Sequence, residues 1–192
     1  MLFFILIIYF LDYTVLNATF AEFGAGKSFS HMKAEEWYRF FTGVFLHDNL
    51  LHLIANCIAL YAVGNILEKK VKSYWFLFVF YFGHLMANII LAGFANYSSN
   101  NGASAGIYSL IAFIVVLYLR NPVNIELSAN RISVICLMLY AILSIFYGWF
   151  TATIHSVAFA WGIAVSLFLI ISRMPIGKSF TSSMNKIKPQ KL

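Results

Sequence analysis

The sequence predicts an all-α membrane protein built as a bundle of six transmembrane helices, with a partly embedded first loop. Three observations predict it. The first is composition: 61% of the 192 residues are hydrophobic and only 10% are charged, with a mean hydropathy of +0.81, whereas soluble domains carry about 25% charge. A chain of this length cannot hide so much apolar surface in one water-exposed core. The second is the spacing of apolar runs, each long enough to cross a hydrocarbon layer. The third is the placement of positive charge, which falls mostly on one side of those runs, the other side holding only Lys27, Lys33 and Arg39.

The runs place spans near 2–19, 48–67, 74–95, 104–119, 132–149 and 154–172. The first lacks a basic leading region, so it reads as a retained helix and not a signal peptide. Residues 20–47 mix Gly24, Gly26, Lys27, Lys33, Glu35, Glu36 and Arg39 with Trp37, Tyr38 and several phenylalanines, the pattern of an interfacial loop. EKKVKS at 68–73, NYSSNNGA at 96–103 and RNPVNIELSANR at 120–131 separate later spans. Residues 150–153 read as a short uncharged outer loop.

Lys69, Lys70 and Lys72, then Arg120 and Arg131, then Arg173, Lys178, Lys186, Lys188 and Lys191, share one side if both termini are cytoplasmic. The net charge of +6 therefore reports topology, and no nucleic-acid partner is expected. The domain plan is a membrane unit over 1–173 and a basic cytoplasmic tail over 174–192. The expected location is the cell membrane, as a multi-pass protein. Cys57 and Cys136 lie in apolar runs, and no disulfide framework or metal-ligand spacing exists.

Polar groups inside such spans are costly and often functional. The stretch NGASAGIYSL puts Ser104 at the head of the fourth span. Sixteen residues separate it from Arg120, about 24 Å of helix, against a hydrocarbon core of about 30 Å. Ser104 should thus lie below the outer surface, where non-helical backbone is tolerated only beside protein or a water-filled cavity. His155, placed about two residues into the sixth span, lies about 27 Å from Arg173, at a matching depth. His52 and Asn56 are four apart on one face of the second span, and His47 sits near its outer end.

Singly, each has an ordinary role: an N-cap for Ser104, interhelical hydrogen bonding for the histidines and Asn56. Together they supply a nucleophile, a base and donors, as acyl transfer requires. Tyr108 shares a face with Ser104 and could stack on His155. Gly102 and Gly106 have the small-x-x-x-small spacing of closely packed helices, and Gly162 returns to the face of His155. No acid lies near His155 in sequence. A Ser–His dyad is therefore preferred to a triad, with Asp48 and Asp12 left open, as is the role of Asp12 itself.

These residues resemble the rhomboid family of intramembrane serine proteases. The resemblance rests on WYRFFTGVFLH at 37–47, on His47, His52 and Asn56 in H-x₄-H-x₃-N, on Gly102, Ser104 and Gly106 in G-x-S-x-G with Tyr108 following, and on His155 with Gly162 seven later. It covers about residues 1–173. It implies a minimal six-helix form of the fold. It also implies Ser104 as nucleophile, His155 as general base, and an oxyanion hole of His52, Asn56 and the Ser104 N–H. Tyr108 would pack on His155, while Arg39 and Glu68 would serve structurally. The implied substrates are single-pass transmembrane proteins within the bilayer, entering beside the first loop and the fifth helix, and no cofactor is implied. Two positions depart from the family pattern: Ala158 stands where a glycine is common, and Lys72 where another glycine follows the helix-two Glu. The alternatives are a catalytically inactive rhomboid-like protein that binds membrane helices, and an unrelated transporter with a polar permeation site.

Overall fold

The computed structural model describes residues 1–15, 19–120 and 130–172. Among them are eight α-helices and no strand: α1 Leu2–Thr14, α2 Thr19–Gly24, α3 Arg39–Thr42, α4 Leu50–Leu67, α5 Ser73–Phe94, α6 Ser104–Arg120, α7 Arg131–Ile145 and α8 Trp149–Ile171. Short 3₁₀ turns, Ala34–Tyr38 and Gly43–Phe45, flank α3. α4, α5 and α8 are long and apolar enough to cross a membrane, at 18, 22 and 23 residues. α1, α6 and α7 are apolar but shorter, at 13, 17 and 15 residues. The chain is an integral membrane protein with a helical bundle. The expected tail over 174–192 and most of the 120–131 connection lie outside the described residues.

α6 forms the centre. Ile107, Ser109, Leu110, Ala112, Phe113 and Leu117 expose no surface, and the helix packs against α4, α5 and α8. Small residues set these approaches. A Cβ added at Gly162 of α8 would lie 2.5 Å from the Ser109 carbonyl oxygen and 2.7 Å from the Ser109 Cα. The Ser109 hydroxyl donates across the same gap to the Ala158 carbonyl at 2.7 Å. Gly83 of α5 sits against the Ser109 side chain from the other side. The tight α6–α8 crossing thus runs through Gly162 and Ser109. Gly106 instead faces α5, where an added Cβ would come within 2.6 Å of the Phe80 ring. Gly102 faces His52 of α4. The glycine pair in NGASAGIYSL therefore serves two other interfaces. The Ala158 methyl is fully buried among Ala87, Leu91, Ala105 and Tyr108.

Three boundaries differ from expectation. α1 ends at Thr14, short of the expected span to 19, and α2 begins at Thr19. α7 ends at Ile145 and α8 begins at Trp149, so residues 150–153 belong to α8 and not to a loop. The break falls at Gly148, whose φ of 93° suits a residue without a Cβ. The polar FTAT sequence can enter the helix because the Thr153 hydroxyl returns to the Trp149 carbonyl at 2.8 Å. His155 consequently lies in the second turn of α8.

The first loop is tied down by Arg39, which is 3% exposed. Its guanidinium donates to the Glu36 carboxylate, with Nε at 2.9 Å, and to the carbonyls of Glu22 and Ala25 at 3.0 and 3.2 Å. The Lys33 N–H donates to the other Glu36 oxygen at 2.9 Å. The Lys33 N–H and the Arg39 guanidinium together hold the Glu36 carboxyl down to about 2. Phe29, Trp37 and Phe40 pack together beside it, Phe29 and Phe40 edge to face and Trp37 tilted against both. The loop also grips the segment before α6: Gly26 and Asn100 exchange backbone hydrogen bonds at 2.7 and 2.8 Å.

Candidate active site

Each expected side chain is set by the local ending of an element. Asn49 caps α4, its side-chain oxygen accepting from the His52 N–H at 2.9 Å, and this starts the helix so that His52 and Asn56 share a face. Gly102 precedes α6 with a φ of 111°, a conformation that favours glycine. A Cβ there would lie 2.8 Å from the His52 ring, so the absent side chain is what lets imidazole and loop backbone touch. The Gly102 N–H is held by the Gly43 carbonyl at 2.9 Å. Ser104 then opens α6 directly.

Ser104, His52 and His155 line one cavity of about 400 Å³, together with Asn49, Asn101, Tyr140 and Ser144. Four different helices, α4, α6, α7 and α8, and a capped loop thus bring these groups together. The Tyr108 and His155 rings stack, with centroids 4.1 Å apart and planes 14° from parallel. Neither ring nitrogen of His155 has a hydrogen-bond partner among the described residues. The Ser104–His155 hydrogen bond of a dyad is therefore not closed here; Ser104 and Tyr140 line the same cavity. Such bonds often tighten only when substrate arrives.

The carboxylates lie elsewhere. Asp48 accepts from Asn101 at 2.9 Å and lies 3.8 Å from His52 Nδ1. Asp12, in the last turn of α1, accepts from the Phe20 N–H at the start of α2 at 2.7 Å. Neither reaches His155, so no triad is present among the described residues. Glu68 is exposed at the end of α4 with its side chain over Gly64. No cluster among the described residues could hold a metal.

Sequence reasoning missed four polar groups in the apolar runs. Tyr140 of α7 donates to Asn56 Oδ1 at 2.8 Å. Ser144, one turn on, is hydrogen-bonded to the Tyr108 hydroxyl. Asn88 of α5 accepts from the Asn100 side chain at 2.6 Å and donates to the His84 carbonyl at 2.8 Å. His84, 4% exposed, meets the backbone of Phe40. The signal was present: Tyr140 and Ser144 are four apart on one face of a span, as His52 and Asn56 are.

A helical membrane bundle with a serine and two histidines lining one cavity, and a buried amide, Asn56, one turn behind His52, defines the class. The model of the Rhomboid domain matches residues 34–175, and the chain belongs to the rhomboid family. It is similar to the rhomboid protease GluP of Bacillus subtilis (strain 168), 32% identical over 103 residues, covering 54% of this chain and 20% of that protein. It is also similar to the rhomboid protease GlpG of Salmonella newport (strain SL254), 27% identical over 120 residues, covering 62% of this chain and 41% of the relative. The chain thus spans less than half the length of either.

Proposed function

We propose that the protein is an intramembrane serine endopeptidase that cleaves single-pass transmembrane substrates. The observation that supports this best is the meeting of Ser104, His52 and His155 at one cavity, with His155 oriented by the Tyr108 ring. All six apolar helices span the bilayer in this proposal, with both termini and the basic tail in the cytoplasm, and the cavity opens to the other side.

In the first step Ser104 Oγ bonds to the scissile carbonyl carbon, and its proton passes to an unprotonated ring nitrogen of His155. The carbonyl π pair moves to oxygen. That oxyanion accepts from Asn56 Nδ2, the His52 ring and the Ser104 N–H. Collapse breaks the C–N bond, and the proton on His155 goes to the leaving amine. Water then repeats the sequence on the acyl-enzyme ester, with His155 taking its proton, and frees Ser104. The role of α7 is to border the route by which a substrate segment reaches the cavity.

The unclosed Ser104–His155 bond favours a second reading, an inactive relative that binds membrane helices. Purified protein in liposomes with a panel of single-span substrates separates the two. Cleavage by the wild type, lost in both Ser104→Ala and His155→Ala with folding intact, is expected; cleavage that survives Ser104→Ala overturns the proposal. An inactive binder would leave Ser104 unlabelled by a fluorophosphonate.

A further inference from the structure

Asn56 has one acceptor oxygen and two amide hydrogens, and their use is fixed by neighbours on two helices. Nδ2 donates to the His52 carbonyl, one turn back, at 3.0 Å. Turning the amide over would set oxygen against that carbonyl oxygen. Oδ1 is left to accept, and its partner is the Tyr140 hydroxyl of α7, 84 residues away in sequence, at 2.8 Å. With these two bonds made, one Nδ2–H is spare, and Nδ2 lies on the Gly102 side, 3.8 Å from where a Gly102 Cβ would be. That is the loop that delivers Ser104. Asn56 itself is 1% exposed, so no water shell can hold its amide in place.

We infer that Tyr140 is a positioning residue for the Asn56 amide, holding its spare N–H toward the Ser104 end of the cavity. The inference rests on the oxyanion role proposed for Asn56. The phenol donates and the amide oxygen can only accept, so Tyr140 must spend its proton there. The contact between Tyr140 and Asn56 persists through the oxyanion. Losing the phenol proton therefore leaves substrate binding unaffected and weakens the transition state. Without it the amide is held by the His52 carbonyl alone, and the spare N–H is directed toward Gly102 for only part of the time.

Tyr140→Phe removes the hydroxyl and keeps the ring that packs beside Tyr108, at 5.8 Å between centroids. Expected is a kcat about 10-fold lower with KM unchanged, less than the roughly 10²–10³-fold loss typical of deleting an oxyanion donor, which Asn56→Ala should show. In the Asn56→Ala background Tyr140→Phe should have no further effect, because the group it positions is gone. Additive losses would overturn the inference and make Tyr140 an independent donor. An unchanged or raised kcat, or a lowered KM, would also overturn it and make the bond merely a brace between α7 and α4. Thermal unfolding in detergent, expected to match the wild type, separates these results from misfolding; should Tyr140→Phe not fold, Tyr140→His, which keeps a donor, is expected to retain kcat closer to wild type than Tyr140→Leu, and equal losses in the two overturn the inference. A wild-type chain that does not cleave, or a Ser104→Ala variant that does, defeats the protease reading itself and this inference with it.

Discussion

At the scale of single residues, the first loop is organised by one buried cation. Arg39 satisfies two backbone carbonyls and one carboxylate at once, so its burial is compensated. Glu36 carries the pH dependence of this clamp. Its carboxyl is held at about 2, below the ordinary value of 4.5. A depressed folded value means that the stabilisation is present above the ordinary value and is lost as pH falls through the folded one. The fluorescence of Trp37, which packs beside the clamp, should accordingly stay constant from neutral pH to about 4 and change only as pH approaches about 2. A Glu36→Gln variant should show no such acid transition. A wild-type transition centred at the ordinary carboxyl value would contradict the assignment.

At the scale of elements, α6 and α8 approach through contacts that tolerate almost no added volume. Gly162 lies over the Ser109 backbone, and the Ser109 hydroxyl bridges to Ala158. His155 sits seven residues before Gly162 on α8, so the crossing sets where its ring stands relative to the head of α6. Gly162→Leu should force the helices apart, costing about 1–3 kcal/mol by overpacking and lowering cleavage more than Ser109→Ala, whose lost hydrogen bond is worth about 0.6 kcal/mol in a bilayer. Unfolding titrations and initial rates on the two variants check both parts. Equal effects would mean that the hydroxyl, and not the close backbone approach, holds the crossing. The α7–α8 corner carries a related lesson. Hydropathy alone places the joint at 150–153 because threonines read as loop, but Thr153 bonds within its own helix and the positive φ of Gly148 makes the turn earlier.

For the whole molecule, orientation follows from charge. Lys69, Lys70 and Lys72 lie between α4 and α5, and the uncharged 96–103 segment lies at the other end of α5. In a background lacking Cys57 and Cys136, a cysteine at Lys70 should be labelled by an impermeant maleimide only after the cytoplasmic face is opened. A cysteine at Ser98 should be labelled in intact cells. The reverse pattern would invert the proposed topology.

Much of this was legible in the chain. Apolar runs, Lys and Arg placement, and the short ranges H-x₃-N and G-x-S-x-G needed only local spacing, because bilayer thickness and helical rise convert residue counts into depth. The sequence by itself determined the class and the family resemblance, and it singled out Ser104, His155, His52 and Asn56 as the candidates on which the proposal rests. Only the tertiary structure decided which partner each small or polar residue meets: Gly162 on Ser109, Gly106 on Phe80, Tyr140 on Asn56, Tyr108 between His155 and Ser144. The physical reason is that a helix's own spacing says which side chains share a face, while the neighbour that face meets depends on how the bundle packs, and those pairings join residues up to 84 positions apart.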